Sequence, residues 1–373
     1  VWKSINEGVT FESVFDHQGT STIGDLAVTP SNPDIVWVGT GEANIFRSSN
    51  PGCGVWKTTD GGENWTHMGL EETFTISRIL VHPENPDIVY VAASGHEWTQ
   101  NKERGLFKTA DGGQSWEKIL YKGPESGVND LVMDPRNPEV LYATTWQRTR
   151  LKWNDPRTYE HHKNNGIWKS SNGGQSWDQL SEGLPPSKYM GRTGIDVARS
   201  NPDVIYAFVD DYEVAFKAEE GELDSYGRPK KDVIKGATLY RSDNAGESWQ
   251  QVSGLTEESK KYMSGHSGTY GWVFAQMRVD PNDENRVYTL GLWINVSTDG
   301  GATLEPIRRK IHADQHGMWI DPDNSNYILA AHDGGISVSY DKGENWRSFI
   351  KELPLAQFYN VEYDMNEPFR VYG

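Results

Sequence analysis

Only one cysteine, Cys53, occurs in the 373 residues, so no disulfide can form within the chain. That alone does not fix the compartment, because many exported bacterial proteins carry no disulfide. No apolar run approaches the roughly 20 residues of a membrane-spanning helix. Basic residues are scarce: 36 Lys and Arg stand against 53 Asp and Glu, a formal net charge of −17. Nucleic acid and anionic membrane both favour a basic face, so neither a nucleic-acid partner nor direct membrane insertion is expected. No signal peptide opens the chain, which starts at "VWKSINEG" and is expected to be part of a longer or processed protein. Neutral or cationic partners and metal ions remain compatible with the charge.

Present in quantity are 15 Trp, 17 Tyr and 38 Gly. That mixture suits many short strands joined by tight turns, with rings wedged between sheets. A phrase of the form Ser/Thr-x-Asp-x-Gly-x-x-Trp recurs along the chain. Its turn residues are Asp60, Asp111, Asn172, Asn244, Asp299 and Asp341, and a worn copy runs from Ser4 through Asn6 and Gly8 to Phe11. In the fifth full copy Leu304 replaces the Trp. A second phrase alternates with it, as in "VTPSNPDIVWVGT" and "VHPENPDIVYVAA": a strand, a Pro/Asn/Asp turn and a second strand.

One unit is therefore four strands, repeated about every fifty residues, which predicts an all-β, seven-bladed β-propeller of four-stranded antiparallel blades. Residues 1–373 are expected to form this single propeller, its last blade closed by residues 1–11 and 357–373. The repeated Asp or Asn is expected to be structural. It accepts backbone N–H groups within a hairpin turn, Gly allows positive φ, and Trp packs between blades.

These residues resemble the Asp-box (BNR) repeat of sialidases, sortilin-type receptor domains and glycoside hydrolase family 74. The resemblance is closest to bacterial exported proteins with sortilin-like propellers. It is carried by "VWVGTGEANIFRSSNPGCGVWKTTDGGENW", "ERGLFKTADGGQSW" and "HADQHGMWIDP", and extends over essentially the whole chain. It implies a secreted, periplasmic or cell-surface protein. In family 74 the cleft lies between two propellers, so this chain is expected to carry half a cleft. The Arg-Ile-Pro signature of sialidases is not found, and an acidic protein suits an anionic sugar poorly.

Loop length predicts the working face. The Asp-box turns are uniformly tight, whereas the opposite face carries long insertions, the usual location of function on a rigid scaffold. Candidate ligand-binding residues there are Glu42, His96, Glu97, Trp98, Trp146, Arg148, Trp153, Arg192, Tyr270 and Trp272, with Tyr159, His161 and His162 nearby. Aromatic faces stack on sugar rings, and Arg, Glu and His read hydroxyl groups. "HADQH" places His312, Asp314 and His316 within five residues, and Asp333 ends the neighbouring strand. Such a set is suited to a divalent metal ion or, equally, to a hydrogen-bonded polar plug. The expected ligand is a polysaccharide or oligosaccharide, bound by a glycoside-hydrolase-like site. The alternative is a protein or peptide held by a non-catalytic, sortilin-like scaffold. No catalytic pair is identified from spacing alone.

Overall fold

The computed structural model describes residues 1–44, 49–149, 163–224, 226–267, 273–307, 311–349, 352–353 and 360–372, except the side chains of 264–267. Trp153, Tyr159, His161, His162, Tyr270 and Trp272 lie outside the described residues. Six four-stranded antiparallel sheets follow one another in chain order, each a simple meander. Their innermost strands are Ile23–Val28, Ile76–Val81, Ser126–Asp134, Met190–Val197, Gln276–Asp280 and Gln315–Ile320. These strands open blades 1 to 6. One helix, Glu257–Ser267, interrupts the link from blade 4 to blade 5.

The blade count differs from expectation: among the described residues six four-stranded blades form, not seven. The terminal segments satisfy their ladder hydrogen bonds internally instead of with each other. Trp2 and Lys3 pair with Ser13 and Glu12, while Glu362 and Tyr363 pair with Tyr372 and Val371. The N-terminal hairpin nevertheless lies between blades 6 and 1. Trp65 Nε1 donates to Val14 O at 2.6 Å, and Phe11 meets Phe349 edge-on with centroids 5.9 Å apart.

All seven turn motifs close in the same way. Thr58 Oγ1 donates to Asp60 Oδ1 at 2.7 Å and accepts Gly62 N–H at 3.0 Å. Asn64 N–H reaches the same carboxylate oxygen at 2.9 Å. Asn172 and Asn244 reproduce the pattern, with Ser176 and Ser248 N–H at 3.0 and 2.9 Å. Even the worn copy does so, through Thr10 N–H and Asn6 Oδ1 at 2.9 Å. The residue after each Asp or Asn is left-handed, including Ala245 (φ 54°) and Lys342 (φ 59°). Where side chains do not need φ > 0 the chain would avoid it, so the turn bonds must hold these residues there.

That left-handed residue presents its carbonyl to the preceding blade. Gly112 O accepts Lys57 Nζ at 3.1 Å, Gly173 O accepts Lys108 Nζ at 2.9 Å, and Ala245 O accepts Lys169 Nζ at 2.8 Å. Tyr142 OH adds a bond to Ala245 O at 3.0 Å. Apolar packing occupies the same boundaries. Trp37 and Val55 of blade 1 pack with Ile76 and Ile79 of blade 2, and comparable clusters join blades 2 to 3, 3 to 4, 4 to 5 and 5 to 6. Each fully buried aliphatic side chain there contributes about 1.5–3 kcal/mol.

Around the central channel the inner strands are tied by charge. Asp25 accepts Ile79 N–H at 2.7 Å, Arg78 pairs with Asp130 at 2.8 Å, and Asp130 accepts Ile195 N–H at 3.1 Å. Asp196 accepts Val279 N–H at 2.8 Å, and Arg278 donates to Met318 O at 3.1 Å. Burial raises the pKa of Asp25 and Asp196, partly offset by Arg78 and Arg278 respectively.

Asp111 behaves oppositely. Its hydrogen bonds from Ser115 and Thr109 hold its pKa well below the ordinary carboxylate value. A depressed folded pKa contributes stability that is present above about pH 4, the unfolded value, and is lost as pH falls through the folded one. Asp111→Asn is therefore expected to be less stable than wild type at pH 7. The two urea midpoints should converge as pH drops from about 4 towards 2; a constant difference across that range would contradict the assignment.

Candidate functional site

The long-loop face is organised by a buried cation absent from the sequence-based set. Arg104 has no exposed surface. Its guanidinium donates to Asn101 Oδ1 at 2.7 Å and to the carbonyls of Ser94 (3.2 Å), Thr99 (2.7 Å), Glu125 (3.0 Å), Arg148 (2.8 Å) and His96. Those carbonyls belong to the loop after the second strand of blade 2 and to its neighbours in blade 3. Gly95 (φ 83°) is required beside it, since a Cβ there would sit 2.3 Å from Arg104 Cγ. Burial, and then Arg148, lower the Arg104 pKa to about 9, which still leaves it charged at neutral pH.

The loop so held lines a cleft of about 180 Å³ with His96, Glu97, Trp98, Thr99 and Arg148, closed on the blade 1 side by Asn50, Pro51 and Phe74. Four of the sequence-based candidates are thus brought together. Trp98 is 42% exposed, while Glu97 and Arg148 are buried at 7% and 2%. The His96 ring lies on Phe74 with centroids 3.6 Å apart, and its Nδ1 is 2.9 Å from Thr99 Oγ1. Burial and then Arg104 lower the His96 pKa, so the ring is neutral at pH 7. Arg148 Nη1 donates to Ser94 Oγ at 2.5 Å.

Glu42 adjoins this cleft. Its Oε2 accepts Asn50 N–H at 3.3 Å. Its pKa is raised, chiefly by burial and further by the charge of Glu97, while the Asn50 N–H bond and then His316 and Arg148 act in the other direction. The four side chains therefore share one electrostatic environment.

Asn44, also missed in the sequence, spans the channel mouth. Its Oδ1 accepts Arg192 Nη2 at 2.7 Å and Gln276 Nε2 at 3.1 Å. Its Nδ2 donates to His316 Nδ1 at 3.2 Å. That bond leaves the imidazole proton on Nε2, which lies 2.6 Å from Asp333 Oδ1. The tautomer follows from these partners. Arg192 is buried and also donates to Val273 O, so it fixes the mouth and offers little surface.

Trp146 requires correction as a ligand platform. It is 2% exposed and packs against Val273 and Phe274, so no face is open to a sugar. The proposed metal ligands separate into two arrangements. His316 pairs with Asp333, whereas His312 turns to Ala313 O at 2.9 Å and stacks on His332 at 5.7 Å. Asp314 sits nearby with left-handed backbone (φ 63°) and a pKa raised by burial and by Asp333. Among the described residues no group of three or more His, Cys, Asp or Glu is gathered closely enough to hold a metal ion.

The sequence gives signals for the missed residues only in hindsight of position. Arg104 directly precedes the glycine opening a third strand, and Asn44 lies within the long "GTGEANIF" insertion. Among the described residues no helix is long and apolar enough to cross a membrane.

Arg104→Lys keeps the charge but cannot satisfy this many carbonyls. It is expected to cost roughly 2–4 kcal/mol in urea unfolding at pH 7. A loss below about 0.5 kcal/mol would show that the loop does not depend on the guanidinium.

A family model described as Sortilin-Vps10 (sortilin, neurotensin receptor 3) matches residues 53–222. A xyloglucanase, Xgh74A of Acetivibrio thermocellus, is 22% identical over 356 residues, covering 85% of this chain and 38% of the enzyme. The chain thus spans well under half the length of that relative. Among solved structures, an ancestral GH74 enzyme superposes with a TM-score of 0.56 at 16% identity, covering 93% of this chain and 39% of that one. YCF48 from Cyanidioschyzon merolae gives a TM-score of 0.51 at 13% identity, covering 92% and 89%. With the blades and turns described above, the chain is a β-propeller similar to those of sortilin and of glycoside hydrolase family 74.

Proposed function

We propose that this propeller binds neutral polysaccharide on its long-loop face, as a glycoside-hydrolase-like, exported protein. The observation that carries the reading is the cleft between blades 1 and 2. It combines a 42%-exposed indole, Trp98, with the buried polar groups of Glu97 and Arg148 in a volume on the scale of one sugar ring. An aromatic platform with a few fixed polar groups is the usual make-up of a small-molecule site. The net charge of −17 favours a neutral glycan over an anionic one. Similarity to xyloglucanases over most of the chain favours this reading over a non-catalytic scaffold for a protein or peptide.

If the site is hydrolytic, Glu42 is the carboxyl group this side of a cleft would supply. Glycoside hydrolysis needs two carboxyl groups, one of them kept protonated to act as the acid. Burial and the neighbouring charge of Glu97 bias Glu42 towards that protonated form.

Isothermal titration with a neutral xyloglucan-type oligosaccharide is expected to show binding. Trp98→Ala should weaken it about tenfold, equivalent to about 1.4 kcal/mol, without moving the thermal midpoint. Either an absence of binding by the wild-type chain or an unchanged affinity in Trp98→Ala would refute the proposal.

A further inference from the structure

Blade 4 extends beyond its own sheet. Its second and third strands, Ile205–Phe216 and Val233–Ser242, run past the strands that flank them. The inner strand pairs no further than Met190, opposite Asp211, and the outer strand no further than Gln251, opposite Tyr240. Beyond Asp211 the ladder has two strands only, through Val214 opposite Ile234 and Phe216 opposite Val233. The helix Glu257–Ser267 lies alongside, with Lys260 Nζ over the Phe216 ring at 5.2 Å. A two-stranded ribbon is marginally stable by itself in water. With one cysteine in the chain, no disulfide within it can fasten this ribbon.

Four side chains converge where the ribbon leaves the sheet. Asp211 has no exposed surface. Its Oδ1 accepts Glu213 N–H at 2.9 Å, and its Oδ2 accepts Tyr240 O–H at 3.0 Å. Lys235 Nζ lies 3.6 Å from Asp211 Oδ2 and donates to Glu213 Oε2. The register shifts between Asp211 and Val214, and this bulge lets Glu213 bring both its N–H and its carboxylate to one corner.

An amine, a buried carboxyl group, a second carboxylate that can take a proton and two donors on the carboxyl oxygens are the parts of an amide-forming site. Burial raises the Asp211 pKa and the charge of Glu213 adds to it, against the Glu213 N–H, Lys235 and Tyr240. The net bias is towards the uncharged acid, the form an amine attacks. Burial and then the charge of Asp211 raise the Tyr240 pKa, so the phenol keeps the proton it donates. Burial lowers the Lys235 pKa, but its bond to Glu213 and the charge of Asp211 outweigh that, and the net shift is upward. The amine is therefore freed only through Glu213, which makes the reaction a slow, single event.

We infer that Lys235 and Asp211 join in an intramolecular isopeptide bond, with Glu213 as the general base. Glu213 takes a proton from the Lys235 ammonium, and the freed Nζ lone pair attacks Cγ of the protonated Asp211. Tyr240 O–H and Glu213 N–H stabilise the negative charge that develops on the carboxyl oxygens. The Nζ–Cγ bond forms, the C–OH bond breaks, and the hydroxyl leaves as water with a proton delivered by Glu213. One ammonium and one carboxylic acid become one secondary amide, one water and one proton released to solvent. No oxidant or further reactant is needed. The bond fastens the two strands at the base of the ribbon, as a disulfide would.

Intact mass spectrometry of the purified, denatured wild-type chain reads this directly. The expected mass is one water molecule below that of the sequence. Trypsin should release a branched peptide joining residues 200–217 to 232–241. The full sequence mass would overturn the inference, as would a lost water located at any other pair of residues. Glu213→Gln keeps both reacting groups and should retain the full mass; loss of water to the wild-type extent would overturn the role of Glu213. Lys235→Arg keeps the ion pair without the amine and should also show the full mass. A water lost from that variant would place the bond elsewhere and contradict the assignment.

Discussion

The ring depends on one repeated carbonyl. Each Asp-box turn forces the residue after its Asp or Asn into left-handed backbone, and that distortion aims a carbonyl at the preceding blade. Lysines and tyrosines from that blade then donate to it, as Lys169 and Tyr142 both do to Ala245 O. The turn is thus a hairpin closure and an inter-blade contact at once. This is why Asn can stand in for Asp at 172 and 244: its side-chain oxygen accepts the same turn N–H, without the charge that strengthens the bond at Asp111. No proton transfer or metal chemistry is asked of the position.

With one face committed to these contacts, the opposite face is free to vary. Its loops cannot rely on ladder hydrogen bonds, so they are held by buried side chains. Arg104 gathers the carbonyls of three chain segments, and Asn44 links blade 1 to residues of blades 4, 5 and 6 across the mouth. Both are charge or amide groups whose burial is tolerated because nearly every donor finds an acceptor. The cleft beside Trp98 is the product: rigid walls, one partly exposed aromatic ring and a few fixed polar atoms.

Much of the fold was legible in the sequence because a repeat multiplies weak local signals. The turn motif gave the blade type, the direction of the strands and the structural role of Asp60, Asp111 and Asp341. The number of complete blades was not legible, since pairing between the two ends depends on contacts that neither end displays by itself. The site was half legible. His96, Glu97, Trp98 and Arg148 stood out by chemistry and loop length and do meet in one cleft. Trp146 looked identical to Trp98 by those criteria, but a strand register places it under Val273 and Phe274. Nor does proximity in sequence give convergence: His312 and His316 are four residues apart and face different partners.

A crystal structure of the chain soaked with a neutral xyloglucan-type oligosaccharide tests the central claim most directly. The account predicts a sugar ring stacked on Trp98, with hydroxyl groups at Glu97 and Arg148. A sugar seated instead on the Asp-box face, or in the groove between Lys118 and Gln175, would contradict it.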